Sequence, residues 1–298
     1  MGLIEPFLSQ ILPVGNERLL RQWWLIGQPA GSIFTESLKL LLILLAPFVA
    51  FTLVIHFLER LTQRRLAERF GWHSILWTGW LGTPIHELSH AFMCRVFQHR
   101  IDDMALFEPD RESGRLGYVR HSFKTGNWFQ ELGNFFIGIA PLLGGSIVLA
   151  VLLWVFYPAS IQTAMASAEQ DVSGDVLLQT WAVVSELSGN ILTLSNVGTL
   201  RFWTFIYLVL CVGSHMAPSW SDYQGALRGL ILVGAILLAG VFLLALAGTD
   251  SQNMIDGMIG VLGPLFAVLG LTVLLCGIAA LIVYALTSFF PKKYQMSK

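Results

Sequence analysis

Charge is what this chain has least of. Only 12% of its residues are Asp, Glu, Lys or Arg, against about 25% in an average soluble domain, and 55% are hydrophobic. That excludes an ordinary soluble globule and marks a polytopic membrane protein. Neither sign is in excess: the formal net charge is -1, which gives no hint of a nucleic-acid partner. Cysteine is scarce too. Cys94, Cys211 and Cys276 are three in number and sit in apolar segments, which argues against a disulfide framework and reads as small core residues. Cys94 follows His90 by one turn, but a catalytic zinc keeps one position open for water, which weighs against a fourth protein ligand there. A basic leader is missing: Glu5, Pro6 and Pro13 interrupt the first 30 residues, so no cleavable signal peptide is expected. Pro6 also stands where a myristoylation motif needs Ser or Thr. Residues 4–24 alternate apolar and polar side chains and are expected to lie along a membrane surface.

Against this apolar background one polar cluster stands out, His86-Glu87-Leu88-Ser89-His90. With seven His in the chain, roughly 0.006 such HExxH matches arise by chance. On a helix the two imidazoles fall at i and i+4, one turn apart on one face, the spacing that grips a single zinc ion, with the Glu beside it as general base. Three ionisable groups within five residues of a membrane segment are costly and persist mainly where they line a functional site. A His pair serving only as hydrogen-bond glue between helices is the bland alternative, and it does not require the Glu.

Stretches of about 20 apolar residues are long enough to cross a bilayer as helices. Six are expected to do so: 38–57, 75–97 with the HELSH motif, 135–156, 202–212 running into an irregular 214–222, 227–246, and 258–289. The fold class expected is an all-α polytopic membrane protein of about six transmembrane helices with a small β-hairpin at the membrane surface. Residues 1–73 form a surface segment and first helix, 74–230 a catalytic three-helix core, and 231–298 the C-terminal helices. Six crossings put both termini on one side. Lys and Arg then number ten in the N-terminal region, the 98–127 loop and the C-terminus, against four in the 58–73 loop. Positive-inside counting favours a cytoplasmic membrane with both termini cytoplasmic, although those four arginines speak against it.

Two connecting segments have character of their own. Within 102–124, residues 114–123 alternate and favour strand, and Glu108-Pro109-Asp110 and Ser113-Gly114 supply turn chemistry, so the segment reads as a hairpin or else a solvated linker. Residues 158–200 hold no Lys or Arg and form an acidic outer loop, with one amphipathic helix expected near 176–187.

A zinc held by His86 and His90 needs a third protein ligand from another helix. Asp222 is the best candidate, because Pro218 breaks the helix just before it and broken helices at membrane depth line cavities. Asp222 also fits as a helix N-cap, and the two roles are compatible. Glu108, Glu131 and His121 are reserve ligands. Glu87 is the expected general base. Thr83-Pro84 either starts a fresh helix before His86 or kinks the existing one. Asn134 is read as a donor to substrate or oxyanion, or as packing glue one turn from Gly138, which permits close helix approach. His215 is read as a transition-state donor or substrate clamp, or as a structural His.

These residues together resemble the site-2 protease family of intramembrane zinc metalloproteases: HExxH in a transmembrane span, a hairpin-like segment after it, and a later span broken near Pro218 and Asp222. The resemblance covers about residues 74–230. It implies a three-span core with HExxH on the first span and an Asp ligand on the third, and cleavage of membrane-anchored protein substrates within or near the bilayer. Ser221-Asp222-Tyr223 departs from the family's Leu-Asp-Gly, which makes this a divergent member. The rival readings are a non-proteolytic membrane metal-binding or scaffold protein, a transporter using intramembrane charges as an ion path, and a prenyl-type metalloprotease with a downstream Glu ligand. Substrate, partners and oligomeric state are not legible.

Overall fold

The computed structural model describes residues 30–170, 176–246 and 251–293, so the expected surface segment at 4–24 lies outside them. The described chain is helical apart from one small sheet. In order it forms α1 (Ala30–Phe70), α2 (His73–Val96), β1 (Arg100–Ala105), β2 (Tyr118–Ser122), α3 (Trp128–Phe156), α4 (Pro158–Gln170), α5 (Val176–Ile191), α6 (Leu194–Val197), α7 (Leu200–Gly213), α8 (Trp220–Leu246) and α9 (Ser251–Thr287). By internal contacts it divides into two units, Pro47–Val233 with Leu262–Lys298, and Met1–Ala46 with Gly234–Val261. The first unit holds the HELSH motif, the hairpin and the helix break at Pro218.

Local chemistry sets the boundaries. Gly71, at φ 76, closes α1 in a conformation that a side chain would resist, and its N–H returns to the Ala67 carbonyl at 2.9 Å. Asn127 caps α3 by accepting from Phe129 N–H and Gln130 N–H, and Thr199 caps α7 by accepting from Phe202 N–H. The apolar core gathers α1, α3, α5, α7 and α9 around Ile55, Leu142, Leu149, Ile191, Phe202, Phe205, Val209 and Leu275. The amphipathic helix expected near 176–187 is α5. It is joined by α4, which the acidic loop did not announce.

Three helices among the described residues are long and apolar enough to cross a membrane: Leu45–Phe70, Trp128–Phe156 and Leu265–Thr287. The bent pair Trp220–Leu227 and Gly229–Leu244 makes a fourth if it is counted as one span. The remaining expected spans fall short by these criteria. α7 has 14 residues, a rise of about 21 Å against a hydrocarbon core of about 30 Å. α2 has 24 residues but carries the polar HELSH face.

The contacts also give direction. α2 and α7 run parallel: Tyr207 OH donates to the Trp77 carbonyl at 2.7 Å, and further along, a Cβ on Gly82 would strike His215. α3 runs against both α2 and α8, because Gly133 meets Phe97 while Gly144 meets Ser89, and Gly138 meets Ala226 while Phe135 meets Gly229. α7 and the start of α8 therefore travel the same way. They are two arms of one broken path rather than two opposed crossings. At the far end, Lys292 Nζ pairs with Glu68 at 3.0 Å, and Arg65 donates to Thr287 Oγ1 at 3.1 Å. Lys292 and Lys293 thus share an end with the 58–73 arginines, which the ten-against-four count set on opposite sides.

The hairpin is present, but shorter in pairing than the 114–123 pattern. β1 and β2 pair antiparallel from Arg100 opposite Ser122 to Ala105 opposite Tyr118, with an irregularity between Ile101 and Asp103. It folds back along α2. Phe107 and Leu116 reach Gly79, and Gly117 packs on Thr83. Gly79 lies about 25 Å along the helix from Val96, where the hairpin departs.

Candidate metal centre

α2 is one continuous helix through Pro84, so Thr83-Pro84 starts no new helix. Pro84 offers no N–H to the Trp80 carbonyl, which loosens the ladder one turn before the motif. His86 and His90 then project from one face. His86 Nδ1 donates to the His215 carbonyl at 2.7 Å, and His90 Nδ1 donates to the Ile137 carbonyl at 2.8 Å. A carbonyl only accepts, so both Nδ1 atoms hold a proton, and in the neutral rings both Nε2 atoms carry lone pairs. Those Nε2 atoms face each other at 3.1 Å. Asp222 completes the set, with Oδ1 3.4 Å from His90 Nε2 and Oδ2 3.7 Å from His86 Nε2.

The chemistry of this donor set fits a cation. Two neutral imidazole lone pairs and a carboxylate, largely removed from water, repel one another unless a positive charge lies between them. The geometry fits as well. Ligands about 2.0–2.1 Å from a tetrahedral metal stand about 3.3 Å apart, and the nearest contacts among the three side chains, those of Asp222 through its two different carboxylate oxygens, run from 3.1 to 3.7 Å. Among the described residues, His86, His90 and Asp222 bring ligand atoms within 4.8 Å of one another in a group that could hold a metal ion.

Small residues let the elements around the site approach one another. Gly82 lets α7 approach α2, where a side chain would strike the Cys211 carbonyl and the His215 ring. A Cβ on Gly138 of α3 would come 2.6 Å from the Asp222 carbonyl oxygen and 2.6 Å from Ala226 Cβ. Gly138 therefore sets the close helix approach that the sequence expected of it. Asp222 faces the two histidines, but it is the third residue of α8 and not its N-cap, a place taken by Ser219. Asp222 Oδ2 accepts from Ser219 N–H at 2.7 Å, and the Asp222 N–H donates to Ser219 Oγ at 3.3 Å, a reciprocal cap that also fixes the carboxylate toward the histidines.

Beside the group lies a cavity of about 1070 Å³ walled by His86, Glu87, Thr83 and His215, by the 113–117 stretch of the hairpin, and by α1 residues from His56 to Glu68. Glu87 is buried and faces this cavity with His86. Asn134 is buried but is not among the lining residues, and its amide donates back to the Glu131 carbonyl at 3.3 Å. His215 contributes chiefly through its backbone. Ser214 Oγ donates its one proton to the Leu210 carbonyl at 2.6 Å, so the His215 Nδ1 proton goes to Ser214 Oγ at 3.0 Å or to the Cys211 carbonyl at 3.2 Å. Its Nε2 is then an acceptor, buried and without a hydrogen-bond partner among the described residues. A neutral His215 ring has no N–H to give an oxyanion.

The reserve ligands have other work. Glu108 is exposed on the hairpin, and Glu131 accepts from Gly126 N–H at 2.7 Å at the start of α3. His121 meets His99, Nδ1 to Nδ1, at 3.0 Å. His99 Nε2 donates to the Gln130 carbonyl at 2.8 Å, so His99 Nδ1 is the acceptor and His121 Nδ1 the donor. Burial, and then the neighbouring His99, hold His121 down to about 4, and burial lowers His99 too. Cys94, Cys211 and Cys276 are free and buried, as their apolar surroundings imply.

Two residues that the sequence reading passed over meet the helix break. Glu59 Oε2 accepts from Ala217 N–H at 2.7 Å, and the Gln63 amide donates to the Ser214 carbonyl. The available signal was weak: an acid just past an apolar run, with an amide four residues later on the same helical face. Comparison of the chain with protein-family models, with curated proteins and with solved structures returns no match.

Proposed function

We propose that the protein is an intramembrane zinc metalloprotease that hydrolyses peptide bonds of membrane-anchored substrates within or near the bilayer. The observation that carries this reading is the convergence of the His86 and His90 lone pairs and the Asp222 carboxylate at nearest contacts of 3.1 to 3.7 Å, with Glu87 on the adjoining cavity wall. Two imidazoles and one carboxylate make a catalytic zinc set that leaves a position open. Zinc in that set supplies Lewis acidity and lowers the pKa of water toward about 7. His86, His90 and Asp222 hold and orient it, and the His215 and Ile137 carbonyls fix the two rings. Glu87 takes the proton from the attacking water and returns it to the leaving amine.

A helical amide is shielded from attack, so a substrate must be extended to be cut. The 113–117 stretch runs along the cavity wall and leads into the strand pair at Tyr118. That edge supports binding of an extended segment by strand addition. The reading includes α2 and the broken α7–α8 path as membrane-embedded elements beside the apolar helices. A transporter or scaffold has no use for a general base beside the ligand pair.

The test is Glu87→Gln in protein co-expressed with single-span reporter substrates. The variant should keep its metal and lose at least about 100-fold of the cleavage rate, the lower range of a general-base contribution. Unchanged cleavage would place the activity elsewhere.

A further inference from the structure

Resting on that reading, we propose that Glu59 and Gln63 of α1 are positioning residues that hold the α7–α8 break in the shape the metal site requires. The break begins where α7 ends at Gly213, and α8 starts at Trp220. Between them the backbone has left the helical ladder, and its N–H and C=O groups need partners from elsewhere. α1 supplies one on each side of His215. Gln63 donates to the Ser214 carbonyl, and Glu59 Oε2 accepts from Ala217 N–H at 2.7 Å. Glu59 and Gln63 are one turn apart and tied together, Gln63 Nε2 to Glu59 Oε1, at 3.3 Å.

The residue enclosed by this clamp is His215, whose carbonyl fixes the His86 ring at 2.7 Å. The segment leaving it is Pro218-Ser219, whose Ser219 N–H orients the Asp222 carboxylate at 2.7 Å. A shift of Ser214–Ala217 therefore moves a ligand-orienting carbonyl and the approach to a ligand together. Glu59 lies inside the apolar window Leu45–Phe70, where a carboxylate is costly and an assigned partner is expected. Its partner is a backbone amide rather than a cation, which is the chemistry of a structural acceptor. The clamp comes from α1, outside the 74–230 region that resembles the family core.

The experiment uses full-length protein in detergent or nanodiscs and two readouts. In cobalt-substituted protein, Glu59→Leu should weaken metal binding about 10–100-fold, the usual cost of removing an outer-shell support, and shift the visible cobalt bands. Glu59→Gln keeps an acceptor for Ala217 N–H and should restore both to near wild type. Gln63→Leu should resemble Glu59→Leu, whereas Glu186→Gln, exposed on α5 and bonded to Asn190, should leave the spectrum unchanged. In metal-free protein, backbone hydrogen exchange across Ser214–Ala217 should quicken in Glu59→Leu and not in Glu59→Gln. Unchanged exchange and an unchanged cobalt spectrum in Glu59→Leu would overturn the clamp. Wild-type protein that takes up no cobalt would overturn the metal reading, while the exchange measurement still decides whether α1 holds the break.

Discussion

Two regions of the unit formed by Pro47–Val233 with Leu262–Lys298 satisfy their polar groups in opposite ways. In the apolar bundle the hydroxyls bond within their own helix: Thr52 to Phe48, Thr272 to Val268 and Thr287 to Val283, each to a carbonyl four residues back. Around the break, bonds run between elements far apart in sequence: His86 to His215, His90 to Ile137, Glu59 to Ala217. The first pattern keeps each helix self-sufficient, so shape and apolar contact hold the bundle together. The second makes every group depend on another element, so moving one disturbs several. The contrast separates a scaffold from a site. Changes in the first region should act on stability, and changes in the second on metal binding.

The largest separation is expected from Asp222→Asn. The amide keeps an acceptor for Ser219 N–H but loses the charge facing two lone pairs. Metal affinity should fall by on the order of 100-fold or more, beyond the cost of outer-shell changes. Glu108→Gln and Glu131→Gln, whose side chains lie outside the ligand group, should leave affinity unchanged. Metal titration of the three variants decides it. Normal affinity in Asp222→Asn with loss in either of the others would erase the distinction between the regions.

Leu149→Ala probes the other side. Leu149 is 1% exposed, within the Phe202–Phe205 core. Truncation should cost about 2–5 kcal/mol by leaving a cavity. Unfolding measurements should show this while metal affinity stays within about threefold. A parallel loss of metal would mean the core and the site are one cooperative structure.

The smallest effect belongs to the hairpin. His121 is held at about 4 against an ordinary 6.5, so the folded state resists its protonation. The stability it allows is complete above about 6.5 and is lost as pH falls toward about 4. Thermal unfolding of metal-free wild type against His121→Gln should therefore diverge across that window, with the wild type losing more. Parallel curves would show that the His99–His121 pair does not titrate with unfolding.

The same division separates the legible from the hidden in the sequence. The HExxH spacing and the Pro218 break are local patterns, and both were legible: they named His86, Glu87, His90 and Asp222, and the structure brings the three candidate ligands together. The hairpin was visible through its alternation and turn residues. Cross-element features were not. The membrane count split 202–212 from 227–246 as opposed crossings, because nothing in either stretch shows that a break joins two arms of one path. The 20-residue window ended α1 at 57, which left Glu59 and Gln63 in an apparent loop and hid their reach to Ser214 and Ala217. His215 drew notice for its ring, whereas its carbonyl orients His86, a role no side-chain pattern encodes.

X-ray absorption of the purified protein, with metal content measured on the same sample, is the most direct test of the metal centre. The account predicts about one zinc per chain, with two imidazole nitrogens and carboxylate or water oxygen at about 2.0–2.1 Å. A zinc–sulfur shell at about 2.3 Å, or zinc well below one per chain, would contradict it.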